Sequence, residues 1–337
     1  MRRTRRSVTI QDVAKAAGVS VSTVSRVLNN KDDVAVETYQ KVQSMIDVLG
    51  YASSLAARGM RSRRTNVIGL IMPDVGSPYC TEVMRGINLA VAKSDYDLII
   101  YTTGDIKKYH TADRNRQFVV LLNGSITDGV IVVTPTATSF PTDAPVVTLE
   151  PNNENPDCYG IISTNREGAL AAMDYLISLG HKRIGFITGR LDLVSGCRRL
   201  DGYKKALANH GIPLDDELIQ IGDFTTETAL NCGRKLLALS DRPTAIFASS
   251  DMSAMGVYRA AQEAGVHIPE ELSVVGFDNL PESAFLKPAL TTIDQFVAKM
   301  AIIATEMVMK LVKGETLECN LQIIPTKLVI RDSCASV

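Results

Sequence analysis

The stretch VTIQDVAKAAGVSVSTVSRVLNN, residues 8–30, has the residue spacing of two short helices joined by a tight turn. Thr9 can cap a helix over about 10–17, in which apolar residues recur every three or four positions. Gly18 can adopt the left-handed conformation that ends this helix, and Ser20 can cap a second one. Two short helices connected in this way are typical of a helix-turn-helix.

The second helix has an outer face suited to DNA. This face carries Val21, Ser22, Ser25, Arg26 and Asn29. Small side chains let a helix lie deep in a major groove, where Ser hydroxyls and the Arg guanidinium reach phosphates or base edges. A third helix over about 37–49 supplies apolar residues that close a small core. Residues 1–52 are therefore predicted to form an all-α domain that binds double-stranded DNA.

Charge is divided unevenly along the 337 residues. The net charge is −1, but residues 1–65 hold 12 Lys and Arg against 5 Asp and Glu, and the remaining 272 residues hold 24 against 32. A basic segment joined to an acidic remainder indicates a polyanion-binding module attached to a domain that binds something else. Charge alone also allows a basic disordered tail, which the helical pattern disfavours.

The segment SSLAARGMRSRRT, residues 53–65, is predicted to be a linker. It is too short to form a stable helix alone, and Gly59 lowers its helix propensity. At the start of the third helix, Ala35 has no side chain that can cap it, which costs about 1 kcal/mol unless Asp33 compensates.

From residue 66 onward, short apolar runs alternate with helical stretches, which predicts parallel sheets covered on both faces. The segments NVIGLIMPDVGSP (66–78) and KRIGFITGRLDLVSG (182–196) each place an apolar strand before a turn rich in Gly, Asp and Ser. Each opens an α/β unit of about 100 residues, so the fold class is α/β with two similar lobes. The predicted strands are VIGLIMP, DLIIYTT, GVIVVTP, VVTL, RIGFITG, LIQIGDF, AIFASS and LSVVGFD.

Candidate cleft residues follow several of these strands, at the edge where parallel sheets bind ligands. They are Ser77, Tyr79, Ser195, Arg199, Phe224, Ser250, Asp251 and Asp278. Carboxylates and a guanidinium bind paired hydroxyls, and aromatic faces cover the apolar side of a sugar ring, so the set suits a neutral polyol. Two structural alternatives stay open: Asp251 can cap the next helix, and Arg199 can pair with Asp201 or Asp251.

No motif of enzyme chemistry stands out, and the four histidines (110, 181, 210 and 267) are far apart in sequence. We predict that His181 and His267 are solvated. The six cysteines lie singly, which predicts buried thiols and neither zinc nor disulfides. We expect no metal and no cofactor. With no apolar run long enough for a membrane span and no signal-peptide pattern, we expect a cytoplasmic protein.

The stretch 8–30 together with VAVETYQKVQSMIDVLGY (34–51) resembles the headpiece of the lactose/galactose repressor (LacI/GalR) family, and the resemblance continues through the chain. It implies that Val21, Ser22 and Arg26 read bases, while Thr23, Ser25 and Asn29 support them or face phosphates. It also implies that residues 53–65 fold on DNA into a hinge helix, with Met60 where the family has a leucine that wedges between base pairs. The predicted DNA contacts also include Thr9, Ser20, Ser54 and Ala57. This sequence departs from the family at Ala35, usually Ser, and at Ser53-Ser54, usually Pro-Asn.

For residues 66–337 the resemblance implies a periplasmic-binding-protein-like core of two Rossmann-like lobes. The N-lobe would comprise about 66–161 and 293–323, and the C-lobe about 162–292 and 324–337. Arg199 and Asp278 would contact the effector, and Tyr79, Ser195, Phe224, Glu150 and Gln295 align with other contacts. The N-lobes would dimerise through the region of a helix over about 79–93. We expect a dimer, because no leucine heptads follow the final helix, about 296–313.

These observations predict a sequence-specific transcriptional regulator, a repressor of carbohydrate-utilisation genes, whose affinity for a palindromic operator is controlled by a sugar. The ligand could release the protein from DNA or act as a corepressor. Two alternatives remain: the same architecture with a purine or another metabolite as corepressor, and a solute-binding protein or sugar-acting enzyme with an N-terminal helical bundle.

Overall fold

The computed structural model describes residues 8–28, 31–51, 64–104, 112–123, 126–153 and 156–337. Asn29, Ser54, Ala57 and Met60 lie outside the described residues, and so does most of the predicted hinge. The chain divides into two compact units, Met1–Thr65 and Asn66–Val337.

The described residues of the first unit form three helices, α1 (Ile10–Ala17), α2 (Val21–Leu28) and α3 (Val36–Leu49). Thr9 caps α1 in a reciprocal capping box with Asp12, and Gly18 ends it at φ 66°. The Ser20 hydroxyl accepts the Thr23 amide at 3.1 Å, which caps α2 as predicted. The three helices enclose a small apolar core formed by Val13, Ala14, Ala17, Val24, Val27, Val42, Ile46 and Tyr51.

The start of α3 lacks a side-chain cap. Ala35 stands at the N-cap position and makes no side-chain hydrogen bond. Asp33 does not compensate for it, because its carboxylate accepts hydrogen bonds from the Arg26 guanidinium instead. The amide groups of the first turn of α3 therefore have no cap from the Ala35 side chain.

The second unit contains two six-stranded sheets with the orders β11-β5-β4-β3-β1-β2 and β12-β10-β9-β8-β6-β7. Every strand pairing is parallel except that of β10 with β12, which is antiparallel. The strands are β1 (Val67–Met72), β2 (Asp97–Thr102), β3 (Gly129–Val133), β4 (Val146–Leu149), β5 (Tyr159–Ser163), β6 (Ile184–Ile187), β7 (Ile219–Gln220), β8 (Ala245–Ala248), β9 (Ser273–Asp278), β10 (Thr291–Asp294), β11 (Leu321–Ile324) and β12 (Lys327–Val329).

Helices cover both faces of each sheet, as expected for parallel strands that are apolar throughout. They are α4 (Pro78–Val91), α5 (Ala112–Leu122), α6 (Asn165–Ser178), α7 (Val194–Asn209), α8 (Thr226–Leu237), α9 (Asp251–Ala264) and α10 (Val297–Val312). On the first sheet, α4 and α10 pack against one face and α5 against the other. On the second sheet, α6 and α7 pack on one face, and α8 and α9 on the other.

The chain passes from one sheet to the other after β5, after β10 and after β11. Each passage places a strand end beside the gap between the two sheets. We call the part of the unit around the first sheet the N-lobe and the part around the second sheet the C-lobe.

Two predictions about single residues were wrong. His181 is buried and not solvated. Its ring nitrogens contact the Thr244 hydroxyl at 2.8 Å and the Ser273 hydroxyl at 3.0 Å, which replace the hydrogen bonds to water. Burial lowers its pKa below the usual value. The cysteines are not uniformly buried, since Cys197 and Cys319 are exposed. Within the described part of the chain, no helix is long and apolar enough to cross a membrane.

Candidate functional site

The exposed face of α2 is the candidate DNA-reading surface. Val21 is 42% exposed there, although it is apolar, and Ser22 and Arg26 are exposed beside it. The Ser20 hydroxyl lies 2.6 Å from the Ser22 hydroxyl and 2.9 Å from that of Thr23, which gathers three short polar groups at the start of the helix. Short side chains keep the helix surface low, as entry into a major groove requires.

The second candidate site is a cavity of about 110 Å³ between the N-lobe and the C-lobe, at the carboxyl ends of their strands. Eight of the ten predicted effector-binding residues line it: Ser77, Tyr79, Glu150, Ser195, Arg199, Phe224, Ser250 and Asp278. Asp251 and Gln295 do not line the cavity. The lining also includes residues that the sequence analysis did not single out: Pro73, Asp74, Cys80, Thr134, Arg190, Leu193, Asp223 and Met252.

We call the buried charged part of the lining, formed by Glu150, Arg199 and Asp278, the cavity floor; Arg199 is only 4% exposed. Its Nε donates to Asn165 Oδ1 at 2.8 Å, and its Nη1 donates to the Ser249 carbonyl oxygen and to Asp278 Oδ1 at 3.4 Å. Its guanidinium carbon lies 3.7 Å from the centre of the Phe277 ring. These contacts exclude the predicted alternative in which Arg199 pairs with Asp201 or Asp251.

Glu150 is held by groups at the junction of the lobes. Its Oε1 accepts the amide and the hydroxyl of Ser163 at 2.8 and 2.7 Å, and its Oε2 accepts Asn165 Nδ2 at 2.9 Å. Ser163 ends β5, where the chain first leaves the N-lobe. The carboxylate is therefore fixed by neutral donors and faces the cavity.

Gln295 acts behind the cavity wall. Its Nε2 donates to Asp278 Oδ1 at 2.6 Å, and its Oε1 accepts the Ser163 hydroxyl at 3.0 Å. It follows β10, where the chain returns to the N-lobe. Gln295 thus orients Asp278, and a direct contact with a ligand in this cavity is not supported.

Asp251 is also structural. It is fully buried and accepts the Leu280 amide at 2.7 Å and the Thr292 hydroxyl. The cap of α9 is Ser250, whose hydroxyl accepts the Ser253 amide at 3.0 Å. Neither the predicted ligand contact of Asp251 nor its alternative as a helix cap agrees with these positions.

Burial is the largest influence on the pKa values of Asp278 and Tyr79 in the cavity. It raises the pKa of Asp278 to about 7, although the nearby Arg199 guanidinium lowers it. Burial, together with the charges of Glu150 and Asp278, raises the pKa of Tyr79 well above its usual value. The Tyr79 phenol therefore keeps its proton at neutral pH and can donate it in a hydrogen bond.

Backbone strain is concentrated at the same edge. Thr134, Glu150, Phe224 and Asp278 all have positive φ and all line the cavity. Such conformations are costly for residues other than glycine and cluster at functional sites, where the surrounding structure holds them. A Cβ atom on residue 189 would lie 2.0 Å from the Phe224 ring. The ring can therefore occupy its position only because residue 189 is glycine.

Most of the missed lining residues carried a usable signal. In the structure, Pro73, Asp74, Thr134, Arg190 and Asp223 each follow a strand by one to three residues, although the predicted strands VIGLIMP, GVIVVTP and LIQIGDF extended over Pro73, Thr134 and Asp223. Extending the strand-end rule over every residue in those turns would have found them. Cys80, Leu193 and Met252 lie in or beside helices, where nothing in the sequence distinguishes them from core residues. Within the described residues, no group of His, Cys, Asp and Glu side chains could hold a metal ion.

Two family models match the chain. The model for bacterial regulatory proteins of the lacI family matches residues 9–54, and the model for the periplasmic binding protein-like domain matches residues 173–334. The chain is 32% identical to catabolite control protein A of Priestia megaterium, over 97% of this chain and 99% of that protein. It is 33% identical to the HTH-type transcriptional repressor PurR of Mannheimia succiniciproducens, over 98% and 99%.

Solved structures of other regulators share this fold. The complex of the transcriptional regulator CelR with cellobiose matches with a TM-score of 0.71 and 27% identity, over 97% of this chain and 99% of that one. The lac repressor dimer bound to operator and the anti-inducer ONPF matches with a TM-score of 0.83, over 98% and 100%. At 24% identity, this match shows that the two chains share a fold.

A helix-turn-helix domain followed by a two-lobed α/β core with a cleft at its strand ends defines a transcriptional regulator whose DNA binding is controlled by a small molecule. The chain belongs to the LacI family of such regulators. The predicted family, fold class and regulatory function are confirmed, and the matched relatives are transcriptional regulators rather than enzymes.

Proposed function

We propose that this regulator is a homodimeric, cytoplasmic repressor of carbohydrate-utilisation genes and that its effector is a sugar bound in the cavity between the lobes. The observation that carries the proposal is the composition of the cavity floor, where Glu150, Arg199 and Asp278 are held in place with Tyr79 beside them. Carboxylates accept and a phenol donates hydrogen bonds, which together match the adjacent hydroxyls of a sugar ring.

The aromatic residues suit the apolar side of the same ligand. Tyr79 comes from the N-lobe and Phe224 from the C-lobe, and both line the cavity. A sugar ring has a polar edge and an apolar face, so it could contact the carboxylates with one and an aromatic ring with the other. The solved relative CelR, which contains cellobiose, supports a carbohydrate as the ligand class.

On the DNA side, we propose that Val21, Ser22 and Arg26 contact bases in the major groove. Residues with short hydroxyl side chains near the helix ends would contact phosphates or support the reading residues: Thr9, Ser20, Thr23 and Ser25. Thr9 also caps α1, so its loss would affect stability as well as binding. The contributions of Asn29, Ser54, Ala57 and Met60 remain predictions from the family resemblance.

Control of DNA binding requires a free-energy coupling between the two sites of about 1–3 kcal/mol. The effector would supply it by binding one arrangement of the lobes more tightly than another. A palindromic operator requires a two-fold symmetric protein, which the proposed homodimer provides. The direction of the coupling is open, since a ligand can either weaken or strengthen operator binding.

Gel shifts with the full chain and its own promoter region, with and without a panel of sugars, test this function. Specific binding that changes with one sugar supports it. Arg199→Ala and Asp278→Ala should lose the response to that sugar, whereas Arg234→Ala, which removes an exposed guanidinium paired with Glu263, should keep it. A full response in both cleft variants would exclude this cavity as the effector site. Absence of any preference for promoter DNA over random competitor would exclude the function.

A purine corepressor is the second candidate, because Tyr79 and Phe224 both line the cavity and two aromatic rings can stack against a base. Calorimetric titration separates the two ligand classes. Binding of hypoxanthine with no binding of any sugar would replace the sugar with a purine and leave the regulatory function intact.

A further inference from the structure

The mouth of the effector cavity carries one carboxylate from each lobe. Asp74 follows β1 in the N-lobe and Asp223 follows β7 in the C-lobe, and both line the cavity together with the buried Glu150 and Asp278. Asp74 is exposed and Asp223 is half-buried, so both lie nearer the solvent than the two floor carboxylates.

Hydrogen bonds hold both mouth carboxylates in position. Asp223 accepts the Thr225 amide at 3.0 Å, the Thr225 hydroxyl at 2.6 Å and the Thr228 hydroxyl at 2.9 Å. Asp74 Oδ1 accepts the Gly76 amide at 2.8 Å. These contacts are made with neutral donors, and they restrict how far either carboxylate can turn away from a ligand.

The two cations of the cavity are already engaged by protein groups. Arg199 directs its donors to Asn165, Ser249, Asp278 and Gln295. Arg190 makes a two-point contact with Asp192 through its Nε and Nη2. Each lining arginine has an acidic partner, Asp278 for Arg199 and Asp192 for Arg190, and Glu150, Asp74 and Asp223 add three further carboxylates to the lining.

We propose that Asp74 and Asp223 make this effector site select against anions, so that the natural effector is an unphosphorylated sugar and its phosphorylated forms are rejected. The inference rests on the proposed function and specifies the ligand of the same site. A phosphate group carries close to two negative charges at neutral pH. Asp74 and Asp223 are held beside the cavity, so each carboxylate repels that group, and water screens this repulsion less at the half-buried Asp223 than at the exposed Asp74.

The test uses the full chain and calorimetric titration with matched pairs: glucose and glucose 6-phosphate, ribose and ribose 5-phosphate, trehalose and trehalose 6-phosphate, with cellobiose as a further neutral compound. We expect at least one neutral compound to bind, and each phosphorylated partner of a binding sugar to bind at least about tenfold more weakly. Asp74→Asn and Asp223→Asn preserve side-chain size, and each should reduce the ratio of the neutral sugar's affinity to that of its phosphorylated form several-fold. The double variant should reduce this affinity ratio most. Glu315→Gln removes an exposed negative charge elsewhere in the chain and should leave the affinity ratio unchanged.

The proposal is overturned if a phosphorylated compound binds as tightly as its parent sugar, or if no neutral compound binds. It is also overturned if neutralising Asp74 and Asp223 changes the affinity ratio no more than Glu315→Gln does. Operator binding measured on the same preparations separates these results from a failure of the proposed function. A protein that binds its operator specifically but responds to a sugar phosphate retains the regulatory function and loses this selectivity.

Discussion

At the residue scale, buried ionisable side chains determine the properties of the cleft. Arg199, Asp278 and Glu150 are 4%, 5% and 6% exposed, respectively. Transfer of a charge from water to a protein interior is costly unless hydrogen bonds and opposite charges replace the lost hydration. The contacts among these three side chains, Asn165 and Gln295 provide that replacement, and a bound ligand would add to it.

Asp278 should make the stability of the protein depend on pH. Its pKa is raised from 3.8 to about 7, so between these values the folded state holds a proton that the unfolded state has released. The free energy of unfolding therefore decreases as pH rises through this interval, by an amount on the order of a few kcal/mol. Asp278→Asn removes this contribution.

Denaturant unfolding of both proteins from pH 5 to pH 8 measures the effect. We expect the stability of the natural protein to fall relative to that of Asp278→Asn as pH rises. The lowered pKa of His181 works in the opposite direction, but it is common to both proteins and cancels in the difference. Parallel stability profiles would show that Asp278 is ionised in the fold throughout this range.

Asp33 should influence DNA recognition through Arg26. The Asp33 carboxylate accepts Arg26 Nε at 3.1 Å and contacts Nη2, so it holds the guanidinium in one orientation. Asp33→Ala removes this restraint and also removes a negative charge near the DNA. We expect non-specific binding to strengthen and the ratio of operator to random-DNA affinity to fall several-fold, which corresponds to about 1 kcal/mol.

Fluorescence anisotropy with operator and scrambled duplexes measures that ratio. Asp33→Asn retains one acceptor oxygen without the charge, so it separates orientation from electrostatic repulsion. If Asp33→Ala changed both affinities by the same factor, Asp33 would act only through its charge and would not position Arg26.

At the element scale, apolar runs identified eight strands, among them the partly exposed β2 and β7, and missed four that the described residues contain: β5, β10, β11 and β12. The buried residues of β1 and β3 form unbroken apolar runs. By contrast, β10 begins with two buried threonines, and β11 and β12 are partly exposed edge strands. Their formation depends on partners far away in sequence, such as Gly160 opposite Leu321, and local pattern does not contain that information.

The same distinction explains the site. Asp278 ends the buried strand β9, which is a local property of the sequence, whereas Arg199 lies within α7 and was linked to the effector by the family resemblance. The roles of Gln295 and Asp251 depend on which side chains meet across the fold. Gln295 meets Asp278 through β10, a strand that the apolar pattern missed, so its function behind the wall could not be derived from spacing.

The contact between the loop after β4 and helix α7 joins the two lobes. Asn152 Oδ1 accepts the Val194 amide at 2.9 Å, and Asn152 Nδ2 donates to the Asp192 carbonyl at 3.0 Å. Leu193, the N-cap residue of α7, makes no side-chain cap of its own, so a residue of the N-lobe caps a helix of the C-lobe. Asn152→Ala should lower the free energy of unfolding by about 1 kcal/mol.

The same substitution should weaken effector binding about fivefold, because the arrangement of the lobes that encloses the ligand loses a contact that stabilises it. Thermal unfolding and calorimetry with a sugar identified by the panel measure the two effects. Asn209→Ala, at the exposed end of the same helix, is the matched control. An effector affinity equal to that of the control would show that this bridge does not contribute to closure.

At the scale of the whole molecule, charge separates the two binding functions. The segment of residues 1–65 has an excess of seven positive charges and the remaining residues an excess of eight negative ones. The negative core repels the DNA backbone, which confines favourable electrostatics to the N-terminal unit. The cavity in the core is lined by carboxylates as well, so it disfavours anions such as DNA phosphates.

This separation predicts that salt weakens operator binding strongly and leaves effector binding nearly unchanged. Each phosphate neutralised by Lys or Arg releases counterions, so a dimer that makes six or more phosphate contacts should lose about 10³-fold or more in operator affinity between 50 and 200 mM salt. A neutral effector releases no counterions, so its affinity should change less than about twofold over the same range. Anisotropy with operator and calorimetry with the sugar, performed on one preparation, measure both. A steep salt dependence of effector binding would mean that the ligand carries charge, which contradicts the selectivity assigned to Asp74 and Asp223.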